Sequence, residues 1–195
     1  MTMDLVPEAM EAMKAEKRQQ VSQIYLPLYI VVNYDYYTLM GSDVSTVVAY
    51  LKTFFASVNS FYALISQPKV QISLQAINIY KSQAAAVLIE KHRHYSGGLI
   101  AGDVLKEFNS WAYQQRYTLG NAAGVYIMTG TKNMCTAPHG TSKQLCQDIG
   151  GLTVESAACA DYGNPFPGIT YRVAISKDDY AYSGLFAACH EIGHM

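Results

Sequence analysis

The spacing of apolar residues changes period several times along this chain, and that succession restricts the fold more than any other feature. Leu28, Tyr29, Ile30, Val31 and Val32 form a short unbroken apolar run, as expected of a strand buried on both faces. Val47, Leu51, Phe54, Phe55, Val58, Phe61, Tyr62 and Ile65 then recur at spacings of three and four, which places them on one stripe of a long amphipathic helix. Ser42, Asp43 or Ser45 can cap its start. From Val70 the period becomes two through Ile72, Leu74 and Ala76, then slips by one residue to Ile77 and Ile79. The slip predicts a strand carrying a bulge.

A glycine-rich break at Ser96, Gly97, Gly98 and Gly102 leads into a second helix. Asp103 is the expected cap, and Val104, Leu105, Phe108, Trp111, Ala112 and Gln115 the expected inward face. Val125 to Met128 reads as another buried strand. Strand, helix, strand, helix, strand is the order of an α/β sheet with parallel pairs and right-handed crossovers. Residues Thr129 to Gln147 are polar and read as a surface loop, and LTVES, residues 152–156, as an exposed edge strand. The stretch DYGNPFPGITYRVAIS returns into a short strand at Val173 to Ile175. Tyr180 to His194 reads as a last helix, with Leu185, Cys189 and Ile192 on its core stripe and Phe186, His190 and His194 beside them.

Half of the 195 residues are hydrophobic and 15% are charged, enough to bury a conventional core and too few charges for disorder. A net charge of -1 supplies no electrostatic attraction to nucleic acid or an anionic membrane. The apolar run from Leu26 to Val32 is broken by Pro27 and falls far short of the roughly 20 residues of a spanning helix. Residues 1–22, with a polar helix expected over Glu8 to Gln20, read as an extension or linker ahead of one domain at 23–195. They contain no apolar core of a secretory signal, so either the chain is intracellular or its true start lies upstream. Cys135, Cys146, Cys159 and Cys189 form no C-x-x-C pair, against a zinc ribbon or redox motif. They can make two disulfides by three connectivities, or stay buried as reduced thiols.

The residues with the clearest chemistry are in HEIGH, His190 to His194. Histidines at i and i+4 on a helix present two imidazoles on one face, and the intervening Glu191 can take a proton from an attacking water. Hydrolytic zinc needs neutral imidazoles, an open coordination position and such a carboxylate. His190 and His194 are therefore the candidate ligands and Glu191 the candidate general base. Gly193 costs a helix about 1 kcal/mol relative to alanine. Two readings fit it: room for a segment packed behind the metal, or a helix fraying at its end. His92, His94 and His139 are the other histidines; His92 and His94 would point to opposite faces of an extended strand and make a poor chelate. Cys189 lies about 100° around the helix from His190 and is expected in the core or in a disulfide.

The run SKDDYAYSGLFAACHEIGHM resembles the active-site helix of reprolysin-type (ADAM-like) metzincins, in the style of secreted tick salivary members. GGLTVESAAC resembles their edge strand and following cysteine, and YIVVNYDYY their first strand. The resemblance covers about residues 24–195. It implies a zinc endopeptidase with His190 and His194 as ligands and Glu191 as base. It also implies a metzincin-like N-terminal subdomain: a twisted, mostly parallel sheet with an antiparallel edge strand, two long helices and a C-terminal active-site helix. The backbone of Gly151, Leu152, Thr153 and Val154 becomes the rail for an extended protein or peptide substrate, since an unpaired strand edge offers N–H and C=O groups to any peptide. Secretion follows from the same resemblance. The family pattern continues with a glycine three residues, and a third histidine six residues, beyond the second histidine, then a methionine-containing turn. The sequence stops at Met195, so the expectation is a chain truncated just after the motif and impaired as an enzyme. The competing expectation is a non-catalytic secreted binding module on the same fold. A peptide deformylase is disfavoured, because its cysteine-containing motif has no match around Cys135, Cys146 or Cys159.

Overall fold

The computed structural model describes residues 21–94, 97–136, 147–156, 158 and 170–195. The expected helix over Glu8 to Gln20, together with His139, Cys146 and Cys159, lies outside the described residues. In chain order the elements are β1 (Gln23–Val32), α1 (Tyr34–Leu39), α2 (Val44–Tyr62), β2 (Lys69–Ile79), α3 (Val87–Glu90), β3 (Leu99–Ile100) and α4 (Ala101–Gln114). They continue as β4 (Gly124–Thr129), β5 (Met134–Thr136), β6 (Gln147–Asp148), β7 (Gly151–Thr153), β8 (Val173–Lys177) and α5 (Leu185–His194).

The main sheet has the order β2-β1-β4-β8-β7. Its first four strands run parallel, and β7 alone is antiparallel, paired with β8. Because strand side chains alternate, each buried strand feeds two cores. Leu28, Ile30, Val32, Tyr126, Met128 and Ala174 pack beneath α2 and α5. Val31, Val125, Ile127, Val173 and Ile175 pack beneath α4 with Val104, Leu105 and Phe108. This two-sided burial is why β1, β4 and β8 read as unbroken apolar runs. The slip of period in β2 is a bulge: Leu28 pairs with Leu74 and Tyr29 with Ala76, which leaves Gln75 as the extra residue.

Of the three candidate caps of α2 it is Asp43 that serves, its carboxylate accepting from Thr46 N at 2.7 Å. Val47, Leu51, Phe54, Phe55 and Val58 are buried as expected, but Phe61 is 40% exposed and turns onto Phe186 of α5, ring centroids 5.5 Å apart. Four expectations need correction. Asp103 does not cap α4; that helix begins at Ala101 after Ile100, with no side-chain cap, and Asp103 sits in its first turn, where the helix dipole favours an acid. Gln115 is the residue that ends α4 rather than part of its inward face. The stretch from Thr129 is not simply a surface loop, because β5 joins β3 and β6 in a second small sheet and buries Met134 completely. The last helix starts at Leu185 rather than Tyr180, after Tyr180 and Tyr182 take left-handed backbone at φ 74° and 58°. Among the described residues no helix is long and apolar enough to cross a membrane.

Candidate metal centre

The late start of α5 follows from one buried carboxylate. Asp178, 2% exposed, accepts from Tyr36 Oη of α1 and Tyr50 Oη of α2, both at 2.7 Å, and from Gly184 N at 2.9 Å. Tyr180 N donates to it at 3.2 Å, and Tyr182 N to Tyr50 Oη at 2.8 Å. Backbone N–H groups that a helix would direct at carbonyls are thus taken by side chains, and the chain turns before it coils. Gly184 is the hinge of this turn, since a Cβ there would lie 2.4 Å from the carbonyl of Lys177.

From that anchored first turn α5 carries its polar residues to one place. His190 Nε2 and His194 Nε2 lie 2.9 Å apart, with rings perpendicular and centroids separated by 4.3 Å. A zinc ion about 2.0–2.1 Å from both nitrogens would subtend an angle near 90°, and opening the pair by roughly 0.4 Å gives tetrahedral geometry. The two Nε2 atoms now share a hydrogen-bond contact, and as neutral imidazoles on one helix face they are of the kind and spacing to hold such an ion once that contact opens. His194 Nδ1 is 4.0 Å from the exposed Glu155, too far for a hydrogen bond. At the end of α5, the His194 carbonyl accepts from Ser156 N at 2.6 Å, which ties the helix to the chain just beyond β7.

Glu191 is 6% exposed and packs under β7. Removal from water pushes its carboxyl up to about 7, against a smaller downward pull from His194. The absence of a side chain at Gly151 makes this possible: a Cβ there would come within 2.5 Å of Glu191 Cγ and 2.7 Å of Oε1. Gly151→Ala is expected to displace the Glu191 side chain and to lower stability by about 1–3 kcal/mol, the usual range for overpacking. Urea unfolding of the two proteins measures this, and equal midpoints would mean that the strand moves aside freely. The room left by Gly193 is occupied as well. Tyr62 Oη stands 3.3 Å from where its Cβ would be and donates to the Cys189 carbonyl at 2.8 Å. Cys189 is a free, half-buried thiol, with its pKa raised by burial.

The four candidate rail residues divide. Gly151, Leu152 and Thr153 form β7, opposite Ser176, Ile175 and Ala174, while Val154 lies just past the strand. The outer edge of β7 has no strand partner among the described residues. His92 and His94 are not brought to α5. His92 approaches Glu107 of α4 at 3.8 Å, and among the described residues no third His, Cys, Asp or Glu completes a metal-holding group. Sequence reasoning missed Asp178, Tyr36, Tyr50 and Tyr62, which hold α5 in place. No local spacing marks them, because each contact joins residues more than 120 positions apart.

The sequence profile of the Reprolysin (M12B) family of zinc metalloproteases matches residues 24–162. A protein described as "A disintegrin and metalloproteinase with thrombospondin motifs like" from Bombyx mori is 27% identical over 187 residues, covering 95% of this chain and 26% of its own length. "Venom metalloproteinase 3" from Eulophus pennicornis is 26% identical over 179 residues, covering 90% of this chain and 39% of its own. The chain therefore spans about a quarter to two fifths of the length of these curated relatives. A chain in the structure of a chaperone-substrate complex superposes with a TM-score of 0.53 at 12% identity, over 89% of this chain and 26% of that one, a likeness of fold alone. A mostly parallel sheet with one antiparallel edge strand, covered by an HExxH helix, defines a metzincin-like fold. Within that class this chain belongs to the reprolysin family of zinc metalloproteases.

Proposed function

We propose that residues 23–195 form the N-terminal subdomain of a secreted zinc endopeptidase, with residues 1–22 as an extension. His190 and His194 hold the metal through Nε2, and a third ligand comes from outside the described residues, as three protein ligands are usual for catalytic zinc. Zinc, when bound, supplies a Lewis acid at the face shared by the two imidazoles. Glu191 acts as general base and takes the proton of the attacking water on its carboxylate. An ordinary carboxylate is a weak base; one lifted toward neutrality by burial is matched to the task. The backbone of Gly151 to Val154 binds an extended protein or peptide substrate antiparallel to itself, leaving sequence preference to side-chain pockets.

The observation that carries this reading is the 2.9 Å convergence of the two Nε2 atoms on the helix that also buries Glu191 beside the edge strand. The reading includes a disulfide at Cys135, a bond that persists in the oxidising compartments a secreted protein meets. The test is zinc titration by calorimetry. His190→Ala and His194→Ala are each expected to weaken binding at least about tenfold, since each removes one of two converging ligands. Zinc affinity unchanged in both variants would rule out the site and favour the non-catalytic binding module.

A further inference from the structure

The edge strand has a second face, and the chemistry at α5 does not use it. Gly151 and Thr153 are registered with Ser176 and Ala174 and belong to the α5 side, whereas Leu152 is registered with Ile175 and belongs to the α4 side. Val154, the next residue of the same parity, is 38% exposed. Between it and the first turns of α4 runs a groove of about 480 Å³, lined by Gly102, Leu105, Lys106, Leu152, Val154 and Tyr171 together with the polar Asn109 and Thr153. Among the described residues that line it, Lys106 supplies the only charge.

Gly102 marks this groove as more than a gap in packing. It lies within the first turn of α4, where glycine is a poor helix former. Its backbone does not need glycine, and a Cβ built on it meets nothing within 4 Å. Neither the helix nor the core requires the missing side chain; its absence leaves the groove open.

We propose that this groove is a specificity pocket for a bulky apolar side chain of the bound peptide. The proposal rests on the strand-addition reading given above. In an antiparallel pair, directly opposed residues share a face. Peptide residues opposite Gly151 and Thr153 then point to the α5 side, and those opposite Leu152 and Val154 point over the groove. Because the two chains run in opposite directions, the groove-facing residues lie one and three positions to the N-terminal side of the residue opposite Gly151. A leucine or phenylalanine there covers Leu105, Leu152 and Val154; an acidic residue is desolvated against them with a single lysine in compensation.

The test uses the Glu191→Gln chain in the presence of zinc, so that ligands are not consumed, and fluorescein-labelled extended nonapeptides followed by anisotropy. Leucine in place of alanine at the alternate positions of the N-terminal half is expected to tighten binding at least about tenfold. Gly102→Leu, which fills the groove and improves the helix, is expected to bring that ratio to within about twofold. Methylation of a single strand-pairing amide of the peptide is expected to abolish binding to both proteins. Binding that is lost on methylation, with a leucine-to-alanine ratio untouched by Gly102→Leu, overturns the pocket and leaves the rail standing. Binding indifferent to methylation, or no binding at all, overturns the rail and the pocket with it.

Discussion

Asp178→Ala is expected to lower the unfolding free energy by about 3–5 kcal/mol, a large share of the roughly 5–15 kcal/mol that holds a domain together. The carboxylate is buried and accepts from Tyr36 Oη, Tyr50 Oη and Gly184 N. Alanine leaves these three buried donors without an acceptor, and Tyr180 N and Ser183 Oγ lose theirs as well; an unmet buried donor costs about 1–3 kcal/mol. Tyr50→Phe removes one donor to the carboxylate and the acceptor of Tyr182 N but leaves the carboxylate its others, so about 1–2 kcal/mol is expected there. Urea denaturation of both variants separates the two cases. Zinc titration should also show Asp178→Ala weakened more than Tyr50→Phe, because Asp178 anchors the first turn of α5, which carries the proposed ligands His190 and His194. Equal stabilities for Asp178→Ala and the parent would exclude the buried carboxylate as an anchor.

Glu191→Gln carries the second large effect. With Glu191 as the proposed general base, zinc-dependent peptide cleavage is expected to fall by about 10²–10⁴-fold, the usual contribution of such a group. In the metal-free protein the same substitution changes the pH dependence of stability. The folded carboxyl keeps its proton up to about 7, whereas its ordinary value is 4.5. Between those values the folded state binds more protons than the unfolded one, so stability falls as pH rises. The contribution is whole below 4.5 and is lost as pH passes about 7. Glutamine is neutral throughout. The variant should match its parent near pH 4 and exceed it at pH 8, as read by thermal unfolding in the presence of a chelator. Parallel pH profiles for the two proteins would mean that the carboxylate is already solvated in the fold.

What the sequence revealed of this molecule was whatever repeats with a local period. The bulge at Gln75 was legible because Ala76 and Ile77 are both apolar, which breaks the alternation at one point. The buried strands were legible because β1, β4 and β8 are covered on both faces. The meeting of His190 and His194 was legible because residues four apart share one face of a helix. Met134 gave no such signal, being one apolar residue in a polar stretch that pairs with strands remote from it. The start of α5 was misjudged because nothing in Tyr180 to Ser183 forbids a helix; the competitor is Asp178, whose tyrosine partners come from the far end of the chain. Gly151 was read as rail backbone only, and its closeness to Glu191 depends on two elements meeting, which no spacing records.

Asp178 reaches back 142 residues to Tyr36 and 128 to Tyr50. Synthesis proceeds from the amino end, and long-range contacts of this kind close late. The tyrosine clasp ahead of α5 cannot exist until nearly the whole described chain has left the ribosome. The orientation of the His190 and His194 pair, which α5 carries, is thereby left to the last stage of folding of the described residues.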